Sequence, residues 1–352
     1  MRRICYNKMI TYRYTQKEVC AVAFDMLIGN ESLRARLHTD LCTGRLSHAY
    51  ILEGAHGSGR KTLAVSLAAA LACEGSKSQA PCCECRACRK VLEGKCPDVI
   101  RITREPKKTT IGVDEVRFLR SDVMMQPNDL DYKIYIIEEA DLLTIQAQNA
   151  LLLTLEEPPP YVLFLLLCSS ATNLLETIRS RAPSLRLNPI EPSSMGAYLG
   201  RRDRAFAMLP SEEQQQILLL ADGSVGRALE LLNSAEREPL MQRRAVAASF
   251  VSAMLERRDA EKMTELMAGF GKSREDIMAL LVDIETALRD LILLKRSDEV
   301  VLRFYTDQIS ATELGERVPM QTLLSLLDRA ESTRRQLMRN ANVRLALTAL
   351  LF

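Results

Sequence analysis

Gly54-Ala55-His56-Gly57-Ser58-Gly59-Arg60-Lys61-Thr62 follows the apolar run Ala49-Tyr50-Ile51-Leu52 and precedes an Ala- and Leu-rich stretch with helical character. A glycine-rich turn that leaves a strand and opens a helix has the setting of a phosphate loop, whose backbone N–H groups can cradle phosphates beside the helix N-terminus. Outward from it, an amphipathic helix through Leu33, Leu37 and Leu41 precedes the first strand. Short apolar runs recur at Val99-Ile100-Arg101-Ile102, Ile134-Tyr135-Ile136-Ile137 and Val162-Leu163-Phe164-Leu165-Leu166-Leu167, with helical stretches between them. Strands alternating with helices predict a mostly parallel, buried sheet, so this part of the chain reads as an α/β P-loop domain.

The loop departs from the working pattern in its last residues. Gly54 and Gly59 should be followed at once by Lys and then by Ser or Thr, but Arg60 and Lys61 stand there. Arg60 keeps a positive charge, yet its planar fork replaces a compact ammonium, and Lys61 cannot give magnesium a hydroxyl. Thr62 has the right chemistry one residue too late, which turns it by about 100° around a helix of 3.6 residues per turn. The acidic motif is altered in the same sense. Glu138-Glu139 follows the strand Ile134 to Ile137, about 80 residues after the loop, where a magnesium-holding ATPase usually puts Asp first. A carboxylate pair at a strand end also occurs as a solvated turn, so its place after a P-loop carries the reading. The candidate nucleotide residues are Gly54, Gly57, Gly59, Arg60, Lys61, Thr62, Glu138 and Glu139. Hydrolysis is not expected from them, and retention of ATP with Mg²⁺ stays open.

Cys73, Cys82, Cys85 and Cys88 are spaced C-x8-C-x2-C-x2-C just beyond the P-loop helix. Four thiolates complete a tetrahedral zinc ion and leave no open position, so a structural zinc site is expected within an insert at 73–96. Redox use of closely spaced cysteines is the competing reading, though one C-x-x-C pair would suffice for it. Cys83 and Cys96 are left over beside the set, and Cys5, Cys20, Cys42 and Cys168 are isolated.

The 352 residues exceed one ordinary core, and 47% hydrophobic with 26% charged residues is a globular balance. A net charge of +2 and 5% aromatics do not suit a polybasic or base-stacking nucleic-acid module. The longest apolar run, Val162 to Cys168, is far short of the roughly 20 residues of a membrane span. The basic N-terminal stretch lacks the apolar core of a signal peptide, so a reducing, cytoplasmic setting is expected, where cysteines serve metals more than disulfides. Residues 1–22 lack a period and read as an extension, with a pattern beginning near Phe24; 23–188 carry the P-loop domain. Pro189 and Pro192 mark a linker into a small helical unit, 189–238, closed by Gly223-Ser224-Val225-Gly226-Arg227. From Pro239 to Phe352 the chain reads as a further helical domain. Its stripe Ile277, Leu280, Leu281, Ile284, Leu288, Leu291 and Ile292, with Leu345, Leu347, Leu350 and Leu351, offers more apolar area than one helix layer needs, which predicts packing against neighbouring subunits.

A series of short motifs adds a resemblance. It comprises His48-Ala49-Tyr50, the four-cysteine insert, Gly94-Lys95-Cys96-Pro97-Asp98, Ile111-Gly112-Val113-Asp114 and Gln148-Asn149-Ala150-Leu151-Leu152. It continues with Leu155-Glu156-Glu157-Pro158-Pro159, Ile178-Arg179-Ser180-Arg181 and Asn340-Ala341-Asn342-Val343-Arg344-Leu345-Ala346-Leu347. In order and spacing the set resembles the AAA+ clamp-loader subunits of bacterial DNA polymerase III over residues 24–352, most closely those of the delta prime type. That resemblance implies an AAA+ domain, a helical lid and an all-α collar that oligomerises. It also implies Arg181 as an arginine finger acting in trans, although Ala182 replaces the family's Cys beside it, and Arg227 as the sensor arginine. Without the resemblance, Arg181 reads as a helix-end residue. The implied partners are gamma/tau and delta subunits in a hetero-pentamer, with the sliding clamp and primed DNA reached through the complex. The non-hydrolysing stator type fits Arg60, Lys61 and Glu138; an ATP-hydrolysing gamma/tau-like motor is the alternative.

Overall fold

The strand Val162–Cys168, β4 in chain order, is apolar and buried at every position. A strand without a solvent side must be covered on both faces, and side-chain alternation decides which residue meets which layer. The computed structural model, which describes residues 27–105, 108–256, 273–297, 300–339, 341–343, 346 and 350, shows that division. Leu163, Leu165 and Leu167 share a core with residues of α1 (Glu31–Thr43), α2 (Arg60–Ala72) and α3 (Arg86–Leu92). Val162, Phe164, Leu166 and Cys168 share another with residues of α4 (Val113–Val123) and α5 (Ile145–Glu156). The expected extension 1–22, the start near Phe24, and Asn340, Arg344, Leu345, Leu347 and Leu351 lie outside the described residues.

The other strands are β1 (Ala49–Glu53), β2 (Val99–Ile102), β3 (Lys133–Ile137) and β5 (Ser184–Arg186). All pairings are parallel, in the order β2-β3-β4-β1-β5. This is the α/β architecture with a parallel sheet that the alternating pattern predicts. Tyr135 and Phe164, adjacent in register, stack with ring centroids 5.3 Å apart. Two buried charges fix the sheet's lower end. Lys133 Nζ lies 3.0 Å from Asp122 Oδ2 and donates to Asp122 O and Met125 O, fastening the C-terminal end of α4 to β3. Asp98, fully buried, accepts the backbone N–H groups of Asn128, Asp129 and Leu130, which sets the loop entering β3. Each buried charge is thus hydrogen-bonded, as burial requires.

The chain divides into two compact units, one holding the sheet and ending at Asn188, the other holding Pro189 onward together with His56–Ser58. All the secondary-structure elements among its described residues are helices. Its helices are α7 (Pro192–Arg202), α8 (Arg204–Ala207), α9 (Ser211–Leu220), α10 (Val225–Glu230) and α11 (Ser234–Leu255), after the short α6 (Glu176–Arg179) of the first unit. The helices Arg274–Leu294, Gln308–Glu316 and Met320–Met338 follow. The cut read at 238/239 falls inside α11, which Asn233 starts by accepting from Ala235 N; Pro239 sits within the helix. A second correction concerns the apolar stripe. All seven residues from Ile277 to Ile292 are at most 7% exposed, packed with Phe250 and Val251 of α11 and Leu323 and Leu337 of the helix Met320–Met338. The stripe is the core of this unit, because helices on more than one side consume it, and not a surface for neighbouring subunits. No helix among the described residues is long and apolar enough to cross a membrane.

Phe164→Ala tests the two-faced sheet. Removing a fully buried ring should lower unfolding free energy by about 3–5 kcal/mol, measured by urea denaturation.

Candidate functional site

β1 and β3 flank β4 in a parallel sheet, so both end at the same edge of it. β1 runs into the glycine loop and α2; β3 ends at Glu138. Glu138 is 4% exposed, and its backbone N–H donates to Ile102 O at 2.9 Å. Lys61, in the first turn of α2, places Nζ 2.5 Å from Glu138 Oε2. Arg101 of β2 donates from Nε to Glu138 Oε1 at 2.8 Å and also bonds that oxygen through Nη2. Glu139 is exposed, with Arg104 Nε 3.5 Å from its Oε2. The fold therefore brings together two expected residues, Lys61 and Glu138, and adds a third that sequence reasoning missed. The available signal was a charge within the otherwise apolar run Val99-Ile100-Arg101-Ile102.

The loop's glycines answer to two separate demands. Gly59 caps α2 at φ 97°, a left-handed conformation that suits glycine, and a Cβ there would lie 2.6 Å from Leu27 Cδ1. Gly57 belongs with the helical unit. Gly226 N donates to Gly57 O at 3.0 Å, and Ser224 Oγ donates to His56 O at 2.9 Å. A Cβ on Gly57 would sit 2.4 Å from Ser224 Oγ, and one on Gly226 would sit 2.7 Å from Gly57 Cα. Gly54 is buried, and Arg60 and Thr62 are half-buried in the first turn of α2. Arg227 donates to Glu230 Oε2 at 3.0 Å along α10, while its own N–H is capped by Ser224.

The four cysteines converge. Cys73 caps the C-terminus of α2, Cys85 the N-terminus of α3, and Cys88 lies within α3. Their sulfurs with that of Cys82 all lie within 4.8 Å of one another. Tetrahedral zinc–thiolate bonds of 2.3 Å set sulfurs about 3.8 Å apart, so the set fits a metal ion. Backbone N–H groups support the sulfurs: Cys82 N to Cys73 Sγ, Cys85 N to Cys82 Sγ and Cys88 N to Cys85 Sγ, at 3.5, 3.3 and 3.4 Å. Such donors favour a thiolate. Burial, above all, pushes the Cys88 thiol up, with Cys85 and Cys73 adding to it, and a bound cation would supply the missing compensation. Cys83 is outside the set, its Sγ donating to Pro81 O. Burial raises Cys96 and pushes Cys168 up to about 12, which disfavours the thiolate at both.

Arg181 follows α6, whose first turn is held by Gln148: Oε1 accepts from Leu175 N at 2.8 Å. Its guanidinium donates to Thr177 O at 2.9 Å and reaches Glu156 Oε1 of α5 at 2.8 Å. It thus makes the helix-end contact and an ion pair to the Leu155-Glu156-Glu157-Pro158-Pro159 segment. Its side chain is 35% exposed.

Gly57→Ala and Gly226→Ala should each destabilise the helical unit by about 1–3 kcal/mol, since each forces a Cβ into backbone or a hydroxyl. Neighbouring-site replacements such as Ala55→Ser, at an exposed position, should not. Thermal unfolding of the full chain reads both.

Residues 29–191 match the family model described as DNA polymerase III, delta subunit. The DNA polymerase III subunit tau of Bacillus subtilis is 30% identical over 320 residues, 87% of this chain and 56% of the relative. Subunit tau of Escherichia coli is 30% identical over 275 residues, 77% of this chain and 42% of the relative. The chain thus spans about half the length of the curated relatives it matches. Among solved structures, a gamma-subunit-related protein of DNA polymerase III from Thermotoga maritima aligns over 91% of this chain and 96% of its own, with TM-score 0.41 and 18% identity. The relatives bear the names tau and gamma and the family model the name delta, so the subunit type is not separated by name. The glycine loop, the altered acid and the four-cysteine group all fall within the stretch that is similar to the DNA polymerase III delta-subunit model.

Proposed function

We propose that this chain is a clamp-loader subunit of the delta prime, stator type. It holds motor subunits together, donates Arg181 to the ATP site of a neighbouring subunit while the sliding clamp is loaded onto primed DNA, and hydrolyses little or no ATP itself. The observation that carries this reading is the 2.5 Å contact between Lys61 and Glu138. In a motor subunit the residue after the P-loop lysine gives Mg²⁺ a hydroxyl, and the acid after the third strand helps to hold the same ion. Here those two positions carry opposite charges and bind each other. Neither remains to hold magnesium in the ordinary way.

Further parts of the reading rest on the resemblance and on the chemistry of the groups. Zinc is the ion that four thiolates suit, held by Cys73, Cys82, Cys85 and Cys88 as a structural site that staples α3 to the end of α2. Residues 189–238 would serve as the lid, with Arg227 as its sensor residue, and 239–352 as the collar in a hetero-pentamer with gamma/tau and delta subunits in the cytoplasm. With the stripe from Ile277 to Ile292 buried, collar contacts fall to other residues. A second reading, an ATP-hydrolysing gamma/tau-like motor, is favoured by the names of the relatives at 30% identity.

Two measurements separate these readings. The isolated chain should show no appreciable ATPase activity; turnover at the rate of a motor subunit would replace the stator reading with the motor one. Within the assembled complex, Arg181→Ala should leave assembly unchanged by size-exclusion chromatography and lower DNA-stimulated ATP turnover several-fold, because a charge supplied in trans is worth roughly 10³–10⁵ at a single site. Unchanged turnover would reduce Arg181 to the partner of Glu156. For the metal, the full chain purified without chelator should carry one zinc ion, and Cys85→Ser should release it; elemental analysis finding none would refute the site.

A further inference from the structure

The cation at Glu138 is supplied twice over, and this determines what else the site can accept. In the pairing of β2 with β3, Arg101 lies opposite Ile136 and Ile102 opposite Ile137. Alternation then puts Arg101, Ile136 and Glu138 on one face of the sheet. Ile134 and Ile136 on that face share a core with Leu63 and Leu67 of α2, so it is the face from whose first turn Lys61 extends. A carboxylate carried there by a fully buried strand is expensive to leave charged without a partner. Its two oxygens are divided between the two cations: Oε2 takes Lys61 at 2.5 Å, and Oε1 takes Arg101 Nε at 2.8 Å and its Nη2.

We infer that Arg101, together with Lys61, is a built-in counter-ion that closes the end of β3 to divalent metal. Formally the group Lys61, Arg101 and Glu138 carries +1. A divalent cation would have to displace both partners from the buried carboxylate and stand beside two like charges. The adjacent carboxylates are each engaged through one oxygen. Glu139 faces Arg104 at 3.5 Å, and Asp141 Oδ2 accepts Ser169 N at 3.0 Å and Ser169 Oγ as well. Arg101 is therefore a specificity-determining residue of this site. The altered P-loop alone would remove one magnesium ligand, whereas Arg101 also occupies the carboxylate that is left. The inference rests on the same reading of the site as the proposed stator role, and it goes beyond that role in naming Arg101 and the class of ligand excluded.

The test uses Mn²⁺ as the probe and the full chain with its cysteine site filled by zinc. Paramagnetic broadening of the Ile137 methyl signal, next to Glu138, is followed as Mn²⁺ is added. The unmodified chain should show no site-specific broadening there, and Arg101→Ala combined with Lys61→Thr should show it, with Mn²⁺ affinity higher by about tenfold or more. Adding Glu138→Gln to the double variant should abolish the effect. The double variant leaves Glu138, 4% exposed, without its partners, so its fold is verified by thermal unfolding before Mn²⁺ is added, and the unmodified chain gives an independent answer. Selective broadening at Ile137 in the unmodified chain would overturn the inference, as would a folded double variant that ignores Mn²⁺. Either result leaves the stator reading to the ATPase and Arg181 measurements, which do not depend on Mn²⁺ at Glu138.

Discussion

Covering β4 on both faces is the constraint from which the first unit follows. A parallel strand buried at all seven positions needs helices on either side, and α2 and the α4–α5 pair supply them. Because β1 and β3 lie either side of β4 in parallel, the loop that opens α2 and the residue that ends β3 come out at one edge. The meeting of Lys61 with Glu138 is a consequence of that order. It depends on apolar packing some distance from either charge.

Buried carboxylates occur throughout the chain, and their partners separate framework from site. Asp98 and Asp290 are compensated by backbone N–H groups, those of residues 128–130 and of Arg303, Phe304 and Tyr305. Each thereby fixes a loop. Glu285 and Asp283 are paired with Arg334 and Arg243 across helices of the second unit, at 2.7 and 2.5 Å. Glu138 differs in drawing two cations from two different elements, a sheet strand and the first turn of the P-loop helix. Ion pairs of this kind seldom add much net stability, since desolvation offsets the attraction. Their effect here is better understood as control over which ion the carboxylate can meet.

Arg181 shows how one side chain can satisfy two descriptions. Its bond to Thr177 O is what any arginine near a helix end makes, and the Glu156 contact ties it to α5. The side chain is 35% exposed, so these contacts do not bury it. The cysteine group has the opposite character. Its sulfurs are drawn together by the end of α2 and the start of α3, with backbone donors on three of the four, so the chain's own elements have assembled the ligand set.

Sequence alone determined the elements and the residue types with chemical purpose. The runs at β1, β3 and β4 are continuous because they are buried on both faces, the Gly54–Thr62 turn sits where strand becomes helix, and C-x8-C-x2-C-x2-C has spacing that short loops can close. Those are local signals, carried by neighbours along the chain. Tertiary structure alone decided what faces what. Arg101 became part of the site through its register with β3, Gly57 and Gly226 are glycines because their backbones touch across 169 positions of sequence, and the apolar stripe from Ile277 to Ile292 proved to be core because three other helices cover it. Periodicity says that a helix has an apolar face, but only packing says what lies against it. Register and burial depend on residues far apart in the chain, and no local pattern contains them.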